Sequence, residues 1–155
     1  MPRPSAAVFL ATGFGVGRFP KAPGTAGSLL GLLLWWPVGL LAWPQYGLCL
    51  LVALVVGIVA SGRAALELGL VDPPMVVWDE VVGMGVALIA VPHEIIPFLT
   101  AFGLFRLFDI TKPAPIARLE RLPGGYGIML DDVLAGVYAR VCLQGGLWIL
   151  NTYFR

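Results

Sequence analysis

The sequence predicts an all-α membrane protein: a polytopic bundle of about five membrane helices, the third and fourth short and hairpin-like, formed as one unit over residues 1–155. Three observations lead there. Only 12% of residues are charged, where an ordinary soluble domain has about a quarter. Mean hydropathy is +0.89. From Ala22 to Gly62 there is no charged residue in a run of 41. Such a chain is neither disordered nor collagen-like, and a net charge of +1 offers no surface for nucleic acid.

The uncharged run holds two spans of about 20 residues each, helix one near 26–42 and helix two near 46–62. Trp43-Pro44-Gln45-Tyr46-Gly47 is the turn between them, and Pro37 is placed to bend the first. Before them lie Arg3, Arg18 and Lys21 with no small-residue cleavage pattern, so no removable signal peptide is expected. Cys49 and Cys142 sit in apolar runs and read as buried small hydrophobes.

Helices three and four, near 75–91 and 97–112, form a hairpin turned at Pro92-His93-Glu94. Loop charge selects this over a single crossing. Segments 1–21, 63–80 and 106–132 hold eight of the ten basic residues. Positive charge collects on the cytoplasmic side, and only the hairpin puts all three segments there. It also keeps Glu94 out of the bilayer centre. A last helix near 132–150 leaves Asn151–Arg155 outside, and Arg140 within it must snorkel or pair inward. Eight of the nine acidic residues then share the cytoplasmic face.

Four polar motifs mark that face. Gly13-Phe14-Gly15-Val16-Gly17-Arg18 runs on to Pro23-Gly24-Thr25-Ala26-Gly27-Ser28. Here a helix start capped by Thr25, with Arg18 and Lys21 beside it, suits a phosphate. The bland alternative is a flexible loop and close helix packing through Gly27 and Gly31. Trp78-Asp79-Glu80 puts two carboxylates a turn inside helix three, where ionised groups are expensive. Arg106, Asp109 and Lys112 follow at spacings of three, before the helix-ending Pro113. Gly124 to Asp132 ends in paired aspartates, one of them a candidate N-cap.

Asp79, Glu80, Asp109, Asp131 and Asp132 thus meet at the cytoplasmic ends of three helices. Packed together they repel by several kcal/mol unless a cation joins them. Oxygen donors without thiolate or imidazole select Mg²⁺. Both cysteines are in apolar helices, His93 is on the far side, and no Asp-x-Asp is present. Thiolate, phosphohistidine and haloacid-type mechanisms therefore drop out, and metal-assisted hydrolysis by water or an aspartate remains. Asp79, Asp109 and Asp131 are the candidates for the reaction itself. Arg18, Lys21, Thr25, Ser28, Arg106 and Lys112 are the candidates for holding phosphate. The rival readings are a carboxylate-lined cation transporter and a non-catalytic membrane subunit.

The four motifs, Pro23 to Ser28, Trp78-Asp79-Glu80, Arg106 to Pro113 and Gly124 to Gly136, resemble in order those of the phosphatidylglycerophosphatase A family, over about residues 10–140. The resemblance implies an all-helical enzyme of the bacterial inner membrane. It implies Mg²⁺-dependent removal of the terminal phosphate of phosphatidylglycerophosphate, giving phosphatidylglycerol in glycerophospholipid biosynthesis. Its partners are then membrane lipid and the phospholipid substrate, with a homo-oligomer left open. By position the five carboxylates fall on the family's acidic sites, and Thr25, Ser28, Arg106 and Lys112 on its polar and basic ones. Two departures show: Ala114 replaces a frequent large aromatic between prolines, and Glu120 stands where the family has aspartate. Glu120 is left out of the expected site for that reason.

Overall fold

The computed structural model describes residues 4–153, and among them every regular element is helical. Arg3, Phe154 and Arg155 lie outside the described residues. The order is α1 (Ala6–Ala11), a short 3-10 turn (Val16–Arg18), α2 (Pro23–Val38), α3 (Trp43–Leu68), α4 (Trp78–Ala87), α5 (Ile95–Thr111), α6 (Ile116–Leu119) and α7 (Gly125–Tyr153).

Two of these, α3 and α7, are long and apolar enough to cross a membrane. The expectation of five spans is therefore not met by length. At about 1.5 Å per residue, α4 with its 10 residues covers roughly 15 Å, half of a hydrocarbon core of about 30 Å. Helices α2 and α5, of 16 and 17 residues, also fall short of it.

The short α4 is the axis of the bundle. Every residue from Val81 to Leu88 is buried, and α2, α3, α5 and α7 surround it. Wrapping by protein explains how half a span is stable: its polar groups meet partners rather than lipid. The Trp35 indole donates to Val81 O at 2.8 Å, and the Tyr46 hydroxyl to Gly85 O at 2.6 Å. Beyond its end, Gln144 Nε2 donates to Ala90 O at 2.9 Å. Glycines let the neighbours approach this closely. A Cβ on Gly31 would lie 3.0 Å from Val81 Cα, and one on Gly83 2.7 Å from Asp132 O. The predicted packing role of Gly27 and Gly31 against a neighbouring helix is present.

Several boundaries differ from the sequence expectation. Trp43-Pro44 opens α3 rather than forming the turn, with Pro44 in the first turn where its missing N–H is harmless. Pro37 sits one residue from the end of α2, so it closes that helix instead of bending it. Helix α3 continues to Leu68, which carries Arg63 and Glu67 inside a helix, where Glu67 accepts from Ser5 Oγ at 2.9 Å. Helix α7 starts at Gly125, seven residues earlier than expected, after Gly124 at φ 59. The low helix propensity of its glycines hid this start. Packing overrides propensity there, because Gly125 lies directly against the Ile58 carbonyl. Cys49 and Cys142 are free and exposed rather than buried as expected, on helix faces that nothing among the described residues covers.

Candidate active site

The first turn of α4, the start of α2, the end of α5 and the second turn of α7 converge at one end of the bundle. Helix α4 cannot begin earlier than Trp78, because the Val77 N–H is held by Ala11 O at 2.9 Å and Pro73-Pro74 precede it. Asp79 and Glu80 therefore stand in the first helical turn, not a turn inside as expected. Their charge suits the helix start. The Trp78 indole anchors this turn to α3 by donating to Ala53 O at 3.0 Å.

Asp132 reaches the same place from α7. One carboxylate oxygen from each of Asp79, Glu80 and Asp132 lies within 4.8 Å of the others. Asp131 and Asp132 are 5% and 3% exposed. Both sit inside α7, so neither is the expected N-cap. Asp79 Oδ1, Glu80 Oε2 and Asp131 Oδ1 are buried without a hydrogen-bond partner. Buried acceptors are normally satisfied, so the orphaned oxygens of Asp79 and Glu80, inside the three-carboxylate cluster, describe a site built for something that binds there.

Cations frame the carboxylates. Arg106 on α5 pairs with Asp109 one turn on, and its Nη1 lies 3.4 Å from Ser28 Oγ. Ser28 is itself fixed by donating to Gly24 O at 2.8 Å. Asp109 and Asp132 are close enough to be electrostatic neighbours. Gly24 is the junction with α2, since a Cβ there would lie 2.5 Å from Glu80 Oε1 and 3.2 Å from Arg106 Nη1. Lys112 steps off the end of α5 at φ 41, so the expected three-residue stripe stops at Asp109. From there its ammonium donates to Asp131 Oδ2 at 2.9 Å and to Glu120. Burial pulls the Lys112 ammonium down, yet the hydrogen bonds and charges of Glu120 and Asp131 leave it above its ordinary value.

All five predicted carboxylates are thus brought to one end, three as a tight cluster and two paired with cations. Ser28, Arg106 and Lys112 join them. Arg18 and Lys21 are exposed and stand apart, and Thr25 lies inside α2 without capping it, because Ala22 holds the N-cap position. Glu120, set aside in the sequence reading, contacts Lys112 directly. Its signal was its proximity in sequence to Lys112, eight residues away across a proline-broken loop.

Chemically, clustered buried carboxylates flanked by an arginine and a lysine can hold a cation and a phosphate, and here they sit in a helical bundle with two helices long and apolar enough to cross a membrane. The family model for phosphatidylglycerophosphatase A matches residues 9–147. A Bacteroides thetaiotaomicron protein described as "Putative phosphatidylinositol-3-phosphatase" is 41% identical, covering 97% of this chain and 100% of that one. Phosphatidylglycerophosphatase A of Escherichia coli is 39% identical over 83% of this chain and 76% of its own. That of Haemophilus influenzae is 41% identical over 84% and 82%. No solved structure matches. The chain belongs to the phosphatidylglycerophosphatase A family, and so to the phosphatases.

Proposed function

We propose that this protein is a Mg²⁺-dependent lipid phosphatase that removes the terminal phosphate of phosphatidylglycerophosphate and leaves phosphatidylglycerol. We place it as a multi-pass protein of a bacterial inner membrane, its carboxylate end toward the cytoplasm, where the basic loops collect. Family membership and the printed activity of two relatives support the reaction. The observation that carries it is the buried cluster of Asp79, Glu80 and Asp132, in which Asp79 Oδ1 and Glu80 Oε2 have no hydrogen-bond partner.

The donor set fits the metal. Three carboxylates without thiolate or imidazole suit a hard divalent cation, and two of them, Asp79 and Glu80, each keep a buried oxygen without a hydrogen-bond partner among the described residues. Asp79, Glu80 and Asp132 would hold it. Mg²⁺, when bound, supplies positive charge that offsets the phosphate oxygens and polarises the P–O bond. The residues do the rest. Arg106, aimed by Ser28 and Asp109, and Lys112 donate to the non-bridging phosphate oxygens. Asp131 has one oxygen held by Lys112 and the other free, so Oδ1 accepts the proton of the attacking water. Water's oxygen bonds to phosphorus and keeps one proton, the P–O bond to the glycerol breaks, and the glycerol oxygen takes up a proton from solvent while Asp131 returns to solvent the one it accepted. The products are an alcohol and inorganic phosphate.

The test is phosphate release by the purified full chain in mixed micelles, with Mg²⁺ and then EDTA. Phosphatidylglycerophosphate, phosphatidic acid and phosphatidylinositol 3-phosphate are offered separately, the last because of the Bacteroides relative's description. The expected result is EDTA-sensitive release, fastest from the first lipid. Release chiefly from phosphatidylinositol 3-phosphate would replace the substrate, and release from none by folded protein would return the cluster to the cation-transport reading.

A further inference from the structure

The glycine-rich motif leaves Arg18, Lys21 and Thr25 unused by the carboxylate site. Lys21 and Thr25 line an open groove of about 390 Å³ on the outer face of α2. Val16 of the 3-10 turn and Phe19 just after it form one wall, while Leu29 and Leu33 continue it down the helix. Thr25, Leu29 and Leu33 recur every four residues, so the groove follows the α2 axis for roughly 12 Å. No acidic residue lines it. Arg18, in the same turn, adds a second exposed positive charge.

The wall is built, not incidental. Gly17 packs so closely on the Met75 carbonyl that a side chain there has no room, and Thr12 O accepts from the Gly15 and Gly17 N–H groups at 3.1 and 2.9 Å. The groove begins one residue along the chain from the reaction site. Gly24, the residue before Thr25, touches Glu80 and Arg106 on the opposite side of the same helical turn.

We propose that this groove seats an acyl chain of the anionic lipid being hydrolysed, with Lys21 and Thr25 holding the inner phosphodiester while the terminal phosphate lies at the carboxylate cluster. The proposal rests on the lipid-phosphatase reading above. A lipid with two phosphates presents two separate negative charges, and the chain offers cations in two separate places: Arg106 and Lys112 beside the carboxylates, and Lys21 in the groove. The apolar length of the groove supplies affinity in proportion to the chain it covers.

The test is photo-cross-linking of the full chain in nanodiscs with phosphatidylglycerophosphate carrying a diazirine partway along one acyl chain. Labelling is expected at Phe19, Leu29 and Leu33. Unlabelled phosphatidylglycerophosphate should compete, and a zwitterionic lipid with the same chains should not. Lys21→Glu, at an exposed side chain, should raise the lipid needed for half-competition about tenfold, the loss of one charge-assisted contact. Labelling spread over the exposed faces of α3 and α7, or competed equally by the zwitterionic lipid, overturns the proposal. Competed labelling of the groove by a protein that releases no phosphate would uphold the seat and sink the reaction instead.

Discussion

Lys112 Nζ lies 2.9 Å from Asp131 Oδ2, a bond that ties the end of α5 to the second turn of α7. Glu120 takes the same ammonium from outside. The result is a held lysine and a carboxylate with one occupied and one free oxygen.

Because its carboxylate partners outweigh burial, Lys112 titrates in the folded protein above its ordinary value of 10.5. A raised folded pKa gives stability that is complete below the unfolded value and lost as pH climbs through the folded one. The thermal midpoint of Lys112→Met in detergent should therefore lie below that of the native protein by a constant amount from about pH 6 to about pH 9. The gap should narrow only above about pH 10.5. A gap that closes by neutral pH contradicts this.

Glu120 acts through Lys112. Replacing it by Gln removes the charge that helps hold the ammonium, while Asp keeps the charge on a shorter arm. Steady-state kinetics on phosphatidylglycerophosphate should show kcat about tenfold lower in Glu120→Gln, with KM within about twofold. Glu120→Asp should recover most of the rate. Native kcat in Glu120→Gln would remove this residue from the account.

Divalent-ion binding needs no turnover to be measured. With Mn²⁺ as the probe, read by electron paramagnetic resonance, the native chain should bind through Asp79, Glu80 and Asp132. Asp79→Asn should weaken that binding at least about tenfold. Glu67→Gln, far from the cluster on α3, should leave it unchanged. Equal Mn²⁺ affinity in native and Asp79→Asn protein would take the ion elsewhere.

Two glycines separate packing from propensity. A Cβ on Gly83 would press on Asp132 O and the Phe105 ring, whereas one on Gly103 meets nothing within 4 Å. Gly83→Ala should cost about 1–3 kcal/mol. Gly103→Ala should be neutral or stabilising by up to about 1 kcal/mol. Thermal unfolding in detergent reads both, and similar effects at the two positions would contradict the close α4–α7 contact.

The helical class and the gathering of five carboxylates were legible because hydropathy and loop charge constrain where charged residues can go. Asp79, Asp109 and Asp132 could be placed at one end without knowing any contact. Depth was not legible. Hydropathy scores α4 as a membrane helix, and only the surrounding α2, α3, α5 and α7 reveal it as a half-length axis whose backbone carbonyls at Val81 and Gly85 accept from Trp35 and Tyr46. Glycine misled twice. Gly124 to Gly127 reads as loop by propensity yet opens α7, and Gly24 reads as a phosphate loop yet serves to bring the α2 backbone against Glu80. Cys49 and Cys142 read as core because apolar neighbours look the same whether they face protein or lipid. Glu120 was named but set aside because it stands where the resembling family has aspartate, and only the Lys112 contact shows that the longer carboxylate still reaches the site.

The most direct measurement compares the native chain with Asp132→Asn for phosphate release from phosphatidylglycerophosphate, at equal amounts of folded protein and saturating Mg²⁺. Asp132 is 3% exposed and closes the cluster with Asp79 and Glu80. The native rate should fall to background in EDTA and return with Mg²⁺, and Asp132→Asn should be slower by a factor on the order of 10³. Turnover by folded Asp132→Asn at the native rate would contradict the carboxylate cluster as the reaction centre.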